Sequence, residues 1–243
     1  MKALLHIPSI LFALYLSIPS AIAGDFSTRE ILGFSEDGAL FAFEEYGVQD
    51  GSGFPYSTIF IINTANDSWV NGSPFRARLD DEQADITQVR QRARTMAGDG
   101  LAAITQPGVI NATNQPLEII DDPMRMVARP WHFVPPTSDR MEFRIEALPM
   151  SGRDFCNPFG QVYGFRLKQL FLEDGGTTKT LHEDSEIPQS RGCPLSYRFA
   201  DIVTYRVEAT RTMITAILVL YETVVFEGPD GRYMAVTYQT LLD

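Results

Sequence analysis

The sequence is short of lysine, histidine and cysteine, and each shortage removes a class of function. Its lysines are Lys2, Lys168 and Lys179, set against 31 acidic residues and a formal charge of −11 at pH 7. So acidic a chain offers little to a nucleic-acid backbone or an anionic membrane, both of which bind arrays of positive charge, and no nucleic-acid partner is expected. The histidines are His6, His132 and His182, and no GxSxG elbow occurs, so a serine nucleophile has no evident base. The two cysteines lack CxxC spacing and HExxH is absent, which removes the common redox and zinc signatures. Asp50 and Ser52 lie in a glycine-bent stretch without the alternating acids of a calcium hand. His182, Glu183, Asp184 and Glu186 cluster in LHEDSE without metal-ligand spacing, and His132, between Trp131 and Phe133, reads as a packed side chain. Neither a metal nor a cofactor is expected. Beyond residue 23 no apolar run reaches the roughly 20 residues of a spanning helix, so the mature chain should lack a transmembrane segment.

The opening residues, MKALLHIPSILFALYLSIPSAIAG, combine a basic start, an apolar stretch from Ala3 to Ile18 and an Ala-Ile-Ala cleavage pattern. They read as a signal peptide over residues 1–23, cut between Ala23 and Gly24, leaving residues 24–243 as one secreted or periplasmic domain. Export permits thiol oxidation, so Cys156 and Cys193 are expected to form a disulfide.

Short apolar runs separated by turn signals dominate the mature chain: ILGFS, then Asp37-Gly38, ALFAFEEY, a glycine-rich loop and STIFIIN. Asp37-Gly38 marks a hairpin, here expected as a type I′ turn. ALFAF and TIFII are apolar at both alternating positions, the mark of strands covered on both sides, and the run TMITAILVLYETVVF reads as buried strand for the same reason. MEFRIEAL alternates and should have one wet face. Residues 175–196 are polar and turn-rich and read as a loop. A helix is expected near residues 82–97, where Ile86, Val89, Ala93 and Met96 recur at helical spacing, Asp80, Asp81 and Glu82 start the segment, Arg90, Arg92 and Arg94 lie toward its end in the order that suits the helix dipole, and Gly98 follows. Arg90, Arg92 and Arg94 read as its solvated face. The fold class is therefore mainly β, with antiparallel sheets arranged as a β-sandwich or an irregular propeller-like structure, plus one helix.

Asp37-Gly38, Asp99-Gly100 and Asp230-Gly231 each precede an apolar run, a pattern that resembles the TolB-like propeller repeat at uneven spacing. Over most of the mature chain, FSEDGALFAFEEYGVQDGSGFPYSTIFIIN, RGCPLSYR and FEGPDGRYMAVT resemble a family of predicted secreted bacterial proteins, domain of unknown function 2259. The resemblance implies bacterial export and a shared fold, and it nominates no catalytic residue.

Aromatics, acids and glycines are densest in EEYGVQDGSGFPYS, so Glu44, Glu45, Tyr46, Asp50, Phe54 and Tyr56 form the candidate interaction site. Adjacent strand residues point to opposite faces, so Glu44 and Glu45 cannot alone form the carboxylate pair of a glycoside hydrolase. The function expected is a non-enzymatic exported protein that binds a small ligand or another envelope protein. The alternatives are a carboxylate-dependent hydrolase of envelope or carbohydrate substrates, using Glu44 or Glu45 with a distant acid, and a structural or assembly accessory.

Overall fold

The computed structural model describes residues 24–130, 140–170, 177–225 and 228–242; residues 1–23, expected to be a signal peptide, and Trp131 and His132 lie outside them. The described chain is mainly β and builds antiparallel sheets in three stacked layers, with one main helix on the outside. The first sheet carries β1 (Thr28–Ser35), β2 (Leu40–Val48), β3 (Pro55–Asn63), β4 (Ser68–Trp69), β5 (Phe75–Arg78) and β6 (Ile104–Gln106), in the order β4-β3-β2-β1-β6 with β5 also on β3. The middle sheet runs β14-β13-β12-β7, from β7 (Val109–Thr113), β12 (Pro194–Val207), β13 (Thr212–Val224) and β14 (Pro229–Leu241). The third sheet, β11-β10-β9-β8, comprises β8 (Arg125–Ala128), β9 (Met141–Met150), β10 (Val162–Leu170) and β11 (Lys179–Glu183). Stacked sheets realise the sandwich alternative with a third layer, in place of blades around a channel.

The layering follows from the apolar pattern. Phe34, Phe41 and Phe43 of the first sheet pack against Val203, Ile214 and Leu218 of the middle sheet. The opposite face of the middle sheet, through Ile202, Ile217 and Val219, packs on Phe143, Ile145 and Phe165 of the third. Strand β13 is thus buried from Met213 to Tyr221, as its unbroken apolar run requires. The outer face of the first sheet, Ala42, Ile59 and Ile61, is closed by Val89, Ala93 and Ala97 of the helix α1 (Ile86–Ala102). Both faces of β2 and β3 are therefore covered. On β9 the alternation also holds, with Phe143 and Ile145 inward and Arg144 exposed; on the outer side of the third sheet, Arg166 pairs with Glu146 and Glu183.

Several local expectations change. Acids 80–82 precede the helix, whose N-cap is Asp85 accepting from the Thr87 N–H; Gly98, at φ +49°, kinks it. Met96 is exposed and Ala97 takes the inward place. The Asp37-Gly38 hairpin exists, but the Gly38 N–H closes it onto the Ser35 carbonyl, so Glu36 and Asp37 are the central residues and only Gly38 takes positive φ. Asp99-Gly100 lies inside α1, and Asp230-Gly231 lies within β14 opposite Thr223 and Glu222. The three look-alike turns are one turn, one helix and one strand. The polar stretch from residue 177 contains β11, whose Leu167–His182 pairing extends the third sheet.

Cys156 and Cys193 form the expected disulfide, their Cα atoms 5.5 Å apart and 37 residues apart in sequence. It joins the 3-10 turn Asp154–Phe159 to the start of β12 and packs with Val162. Replacing both cysteines by alanine is expected to lower stability by about 4 kcal/mol, the chain-entropy value for a loop of this length. A urea titration of both proteins measures it, and a loss under about 1 kcal/mol would contradict a stapling role.

Candidate functional site

Period-two alternation along β2 sends Glu44 and Glu45 to opposite sides of the first sheet, both buried. Glu44 lies under α1 at 0 % exposure. Arg90 Nη2 and Arg94 Nη2 donate to its Oε2 at 2.9 and 2.8 Å, and Ser57 Oγ donates to Oε1 at 2.8 Å. Burial pushes the Glu44 carboxyl up, but Arg90, Ser57 and Arg94 outweigh it, and the group titrates below the ordinary glutamate range. Arg90 also caps the Tyr46 ring, 4.0 Å from its centroid, and bonds Glu30. The i, i+4 spacing of Arg90 and Arg94, which puts both on one helical face, was the available signal for this clamp. Those two arginines are structural partners of a buried acid, not a solvated face; Arg92 alone remains exposed.

Glu45 faces the middle sheet. Its Oε2 accepts the Tyr233 N–H of β14 at 2.9 Å, and burial, only partly offset by that bond and by Arg232 and Arg76, raises its pKa to about 7. Beside it, Tyr56 Oη donates to Asp25 Oδ1 at 3.1 Å, while Arg232 Nη2 donates to Asp25 Oδ2 and Asp230 Oδ2 at 2.8 Å each. Gly47 makes the room: a Cβ there would come within 2.9 Å of the Tyr56 hydroxyl.

These groups border a cleft of about 650 Å³. The first sheet supplies Glu45, Tyr56, Phe60 and Trp69, with Arg76 and Arg78 from β5; β14 supplies Tyr233 to Ala235, and Ser190 and Arg191 close the far side. Trp69 is 49 % exposed, and its ring centroid lies 6.2 Å from that of Phe60. Arg191 is buried and holds Asp184, with Nη2 donating to Oδ1 at 2.8 Å. Arg78 bonds the exposed Asp80. Arg76 is exposed and makes no hydrogen bond or ion pair with any described residue.

The structure therefore divides the candidate residues. Glu45 and Tyr56 line the cleft with Gln49, while Glu44 and Tyr46 lie on the opposite face under α1. Strand β2 runs on to Val48 and β3 starts at Pro55, so the connection is only residues 49–54, tied by Gln49 N–H to the Phe54 carbonyl at 2.9 Å. Within it Asp50 accepts from the Gly51 N–H at 3.0 Å, and Phe54 sits beneath Arg78 at 5.8 Å. His182 stacks on Phe165 and bonds Asp184, Glu183 bonds Arg166, and no group of three or more potential metal ligands occurs among the described residues. Trp69, Arg76, Arg191 and the β14 residues escaped sequence reasoning because strand pairing brings Arg76 opposite Thr58 and Thr58 opposite Glu45, while Arg191 and β14 arrive through the stacking of layers, and neither leaves a local mark.

Two substitutions test this electrostatic account. Arg90→Met with Arg94→Met leaves Glu44 charged and enclosed, and roughly 3–5 kcal/mol of stability should be lost in chemical denaturation; a loss below about 1 kcal/mol would show that Glu44 does not depend on the clamp. Glu45 binds its proton more tightly when folded, so its contribution to stability is fully present below pH 4.5 and is lost as pH rises to about 7. Glu45→Gln, which keeps an acceptor for Tyr233, should flatten that decline and raise stability at pH 8 by a few kcal/mol. An unchanged pH profile of melting temperature would refute the assignment.

Neither a curated protein nor a solved structure matches this chain. A family model does, over residues 42–239, which include both faces of β2, the cleft and the disulfide. The chain belongs to the family described as Predicted secreted protein (DUF2259).

Proposed function

We propose that this exported protein is a non-enzymatic binding protein of the periplasm, its mature chain one domain from Gly24, and that its cleft holds an organic anion with an apolar or aromatic body. The observation that carries the reading is Arg76, a guanidinium with no hydrogen bond or ion pair among the described residues, beside the Phe60 and Trp69 rings in a cleft of about 650 Å³. That volume is ordinary for a small-molecule site, and aromatic walls with few charged groups are the usual lining of one. The site departs from the loop centred on Asp50 and Phe54, keeping from it Glu45 and Tyr56.

Binding is favoured over turnover because the acids near the cleft are already engaged. Glu45 holds the Tyr233 N–H, Asp25 and Asp230 hold Arg232, and Asp184 holds Arg191. A hydrolase reading rests on Glu45 alone, whose pKa of about 7 suits a general acid. Hydrolysis of chromogenic glycosides or esters that disappears in Glu45→Gln would replace the binding reading with that one.

Titration calorimetry with benzoate, cinnamate and phenyl phosphate, set against benzamide, tests the binding reading. The anions should bind, the neutral amide should not, and Arg76→Ala should weaken binding about tenfold or more, the worth of one charge-assisted hydrogen bond. Trp69→Ala should weaken the aromatic anions. If no anion binds, or if the amide binds equally well, the proposal is wrong.

A further inference from the structure

The cleft lies alongside an open sheet edge. Strand β14 is the last strand of the middle sheet, and its residues Tyr233, Met234 and Ala235 line the cleft. Thr58, Phe60 and Trp69 of the first sheet stand on one side of that edge, and Pro188, Ser190 and Arg191 stand across from them. The space between is where a further strand of the middle sheet would run.

The backbone of β14 shows which of its groups point there. The β13–β14 ladder runs from Thr212–Leu241 to Val224–Pro229 without a register shift. Away from β13, the Gly231 N–H reaches the Asp25 carbonyl at 3.0 Å, and the Ser27 N–H reaches the Gly231 carbonyl at 3.1 Å. The Tyr233 N–H reaches Glu45 Oε2 at 2.9 Å and the Thr237 N–H reaches Asp67 Oδ1 at 2.7 Å. Alternation along an antiparallel strand then aims the N–H and C=O of Ala235 the same way. No described group hydrogen-bonds to either. Two carboxylates thus occupy the places of a neighbouring strand's carbonyls at positions 233 and 237, and position 235 between them has no hydrogen-bond partner among the described residues.

We propose that the cleft receives the C-terminal end of an extended peptide, which adds a short strand to β14 through main-chain hydrogen bonds to Ala235 and sets its terminal carboxylate on Arg76. This rests on the anion-binding reading of the same cleft and names its occupant. Edge addition supplies affinity through the main chain, and alternate side chains supply specificity. The residues facing the first sheet would meet Phe60 and Trp69, so an aromatic or large apolar residue near the terminus fits best. Glu45 and Asp67 bracket about 13 Å of edge, four residues at strand rise, which limits pairing to about three residues. A second copy of the chain would need a long uninterrupted edge, and this one is interrupted twice.

A pool of random-sequence hexapeptides with free C-terminal carboxylates, and the same pool as C-terminal amides, is incubated with the mature protein, and retained peptides are read by mass spectrometry. Free acids should be enriched about tenfold or more over amides, with aromatic or large apolar residues near the end, and Arg76→Gln should erase the difference. Ala235→Pro removes the outward N–H while leaving the ladder to β13 intact, since an outward-facing edge position tolerates proline. It should fold and lose peptide binding. If Ala235→Pro does not fold, the retained peptides are remade with single N-methyl groups, and methylation at the residue opposite Ala235 should abolish binding where other positions do not. Equal retention of acids and amides, a folded Ala235→Pro that binds as well as the parent, N-methylation without positional effect, or a β14-paired dimer that peptide does not dissociate would each overturn the proposal. If benzoate binds through Arg76 while no peptide is retained, strand addition fails and the anion site stands; if neither binds, both fail.

Discussion

Closure of the middle sheet on both faces is the constraint from which the other features descend. Once Ile214 and Leu218 face the first sheet while Ile217 and Val219 face the third, water can reach that sheet only along its edges. Both edges then need polar treatment. Near β7, Arg29 reaches across from β1 to Asp201, donating from Nη2 to Oδ1 at 3.0 Å and to the Asn114 carbonyl at 2.9 Å. Along β14 the treatment comes from Asp25, Glu45 and Asp67, which satisfy backbone N–H groups in the absence of a neighbouring strand. Arg29 thus ties down the chain just past the end of β7, whereas along β14 the backbone of Ala235 has no partner among the described residues.

The same constraint accounts for the preference for arginine over lysine. Arg29, Arg191 and Arg232 each bind a carboxylate at a layer boundary while stacking on Tyr233, Phe165 or Tyr56, with guanidinium-to-centroid distances of 5.2, 5.1 and 5.1 Å. A planar fork can do both at once, whereas an ammonium on a flexible stem cannot. The acidic composition conceals this, because it does not show that Arg29, Arg191 and Arg232 are each held against a carboxylate, Asp201, Asp184 and Asp25 respectively.

The alternating and unbroken apolar runs carried the strands in the sequence, and the run through Ile214 to Leu220 identified the doubly covered layer, because burial on both faces forces that pattern locally. The opposite orientations of Glu44 and Glu45 were legible for an equally local reason, the pleat. Their partners were not. Tyr233 lies 188 residues from Glu45, and it is a backbone N–H that any residue would supply, so side-chain identity carries no trace of the contact. The Asp-Gly dipeptides misled because the pair is compatible with a turn but does not compel one: Asp99-Gly100 is held in α1, and Asp230-Gly231 is held in β14 by Asp25 and Ser27. The glycine-rich stretch overstated its loop because Glu44 to Val48 and Pro55 to Ser57 continue the hairpin ladder.

Cys193 stands two residues beyond Arg191, and the turn between them is tied by Thr223, whose Oγ1 accepts the Cys193 N–H at 3.0 Å and donates to the Arg191 carbonyl at 2.9 Å. The side of the cleft that carries Arg191 is therefore fastened by a covalent bond that forms only where thiols are oxidised. A chain still in a reducing interior has every side chain of the cleft but not the closure that anchors this wall. Completion of this wall of the cleft is in this way tied to oxidation of the two thiols.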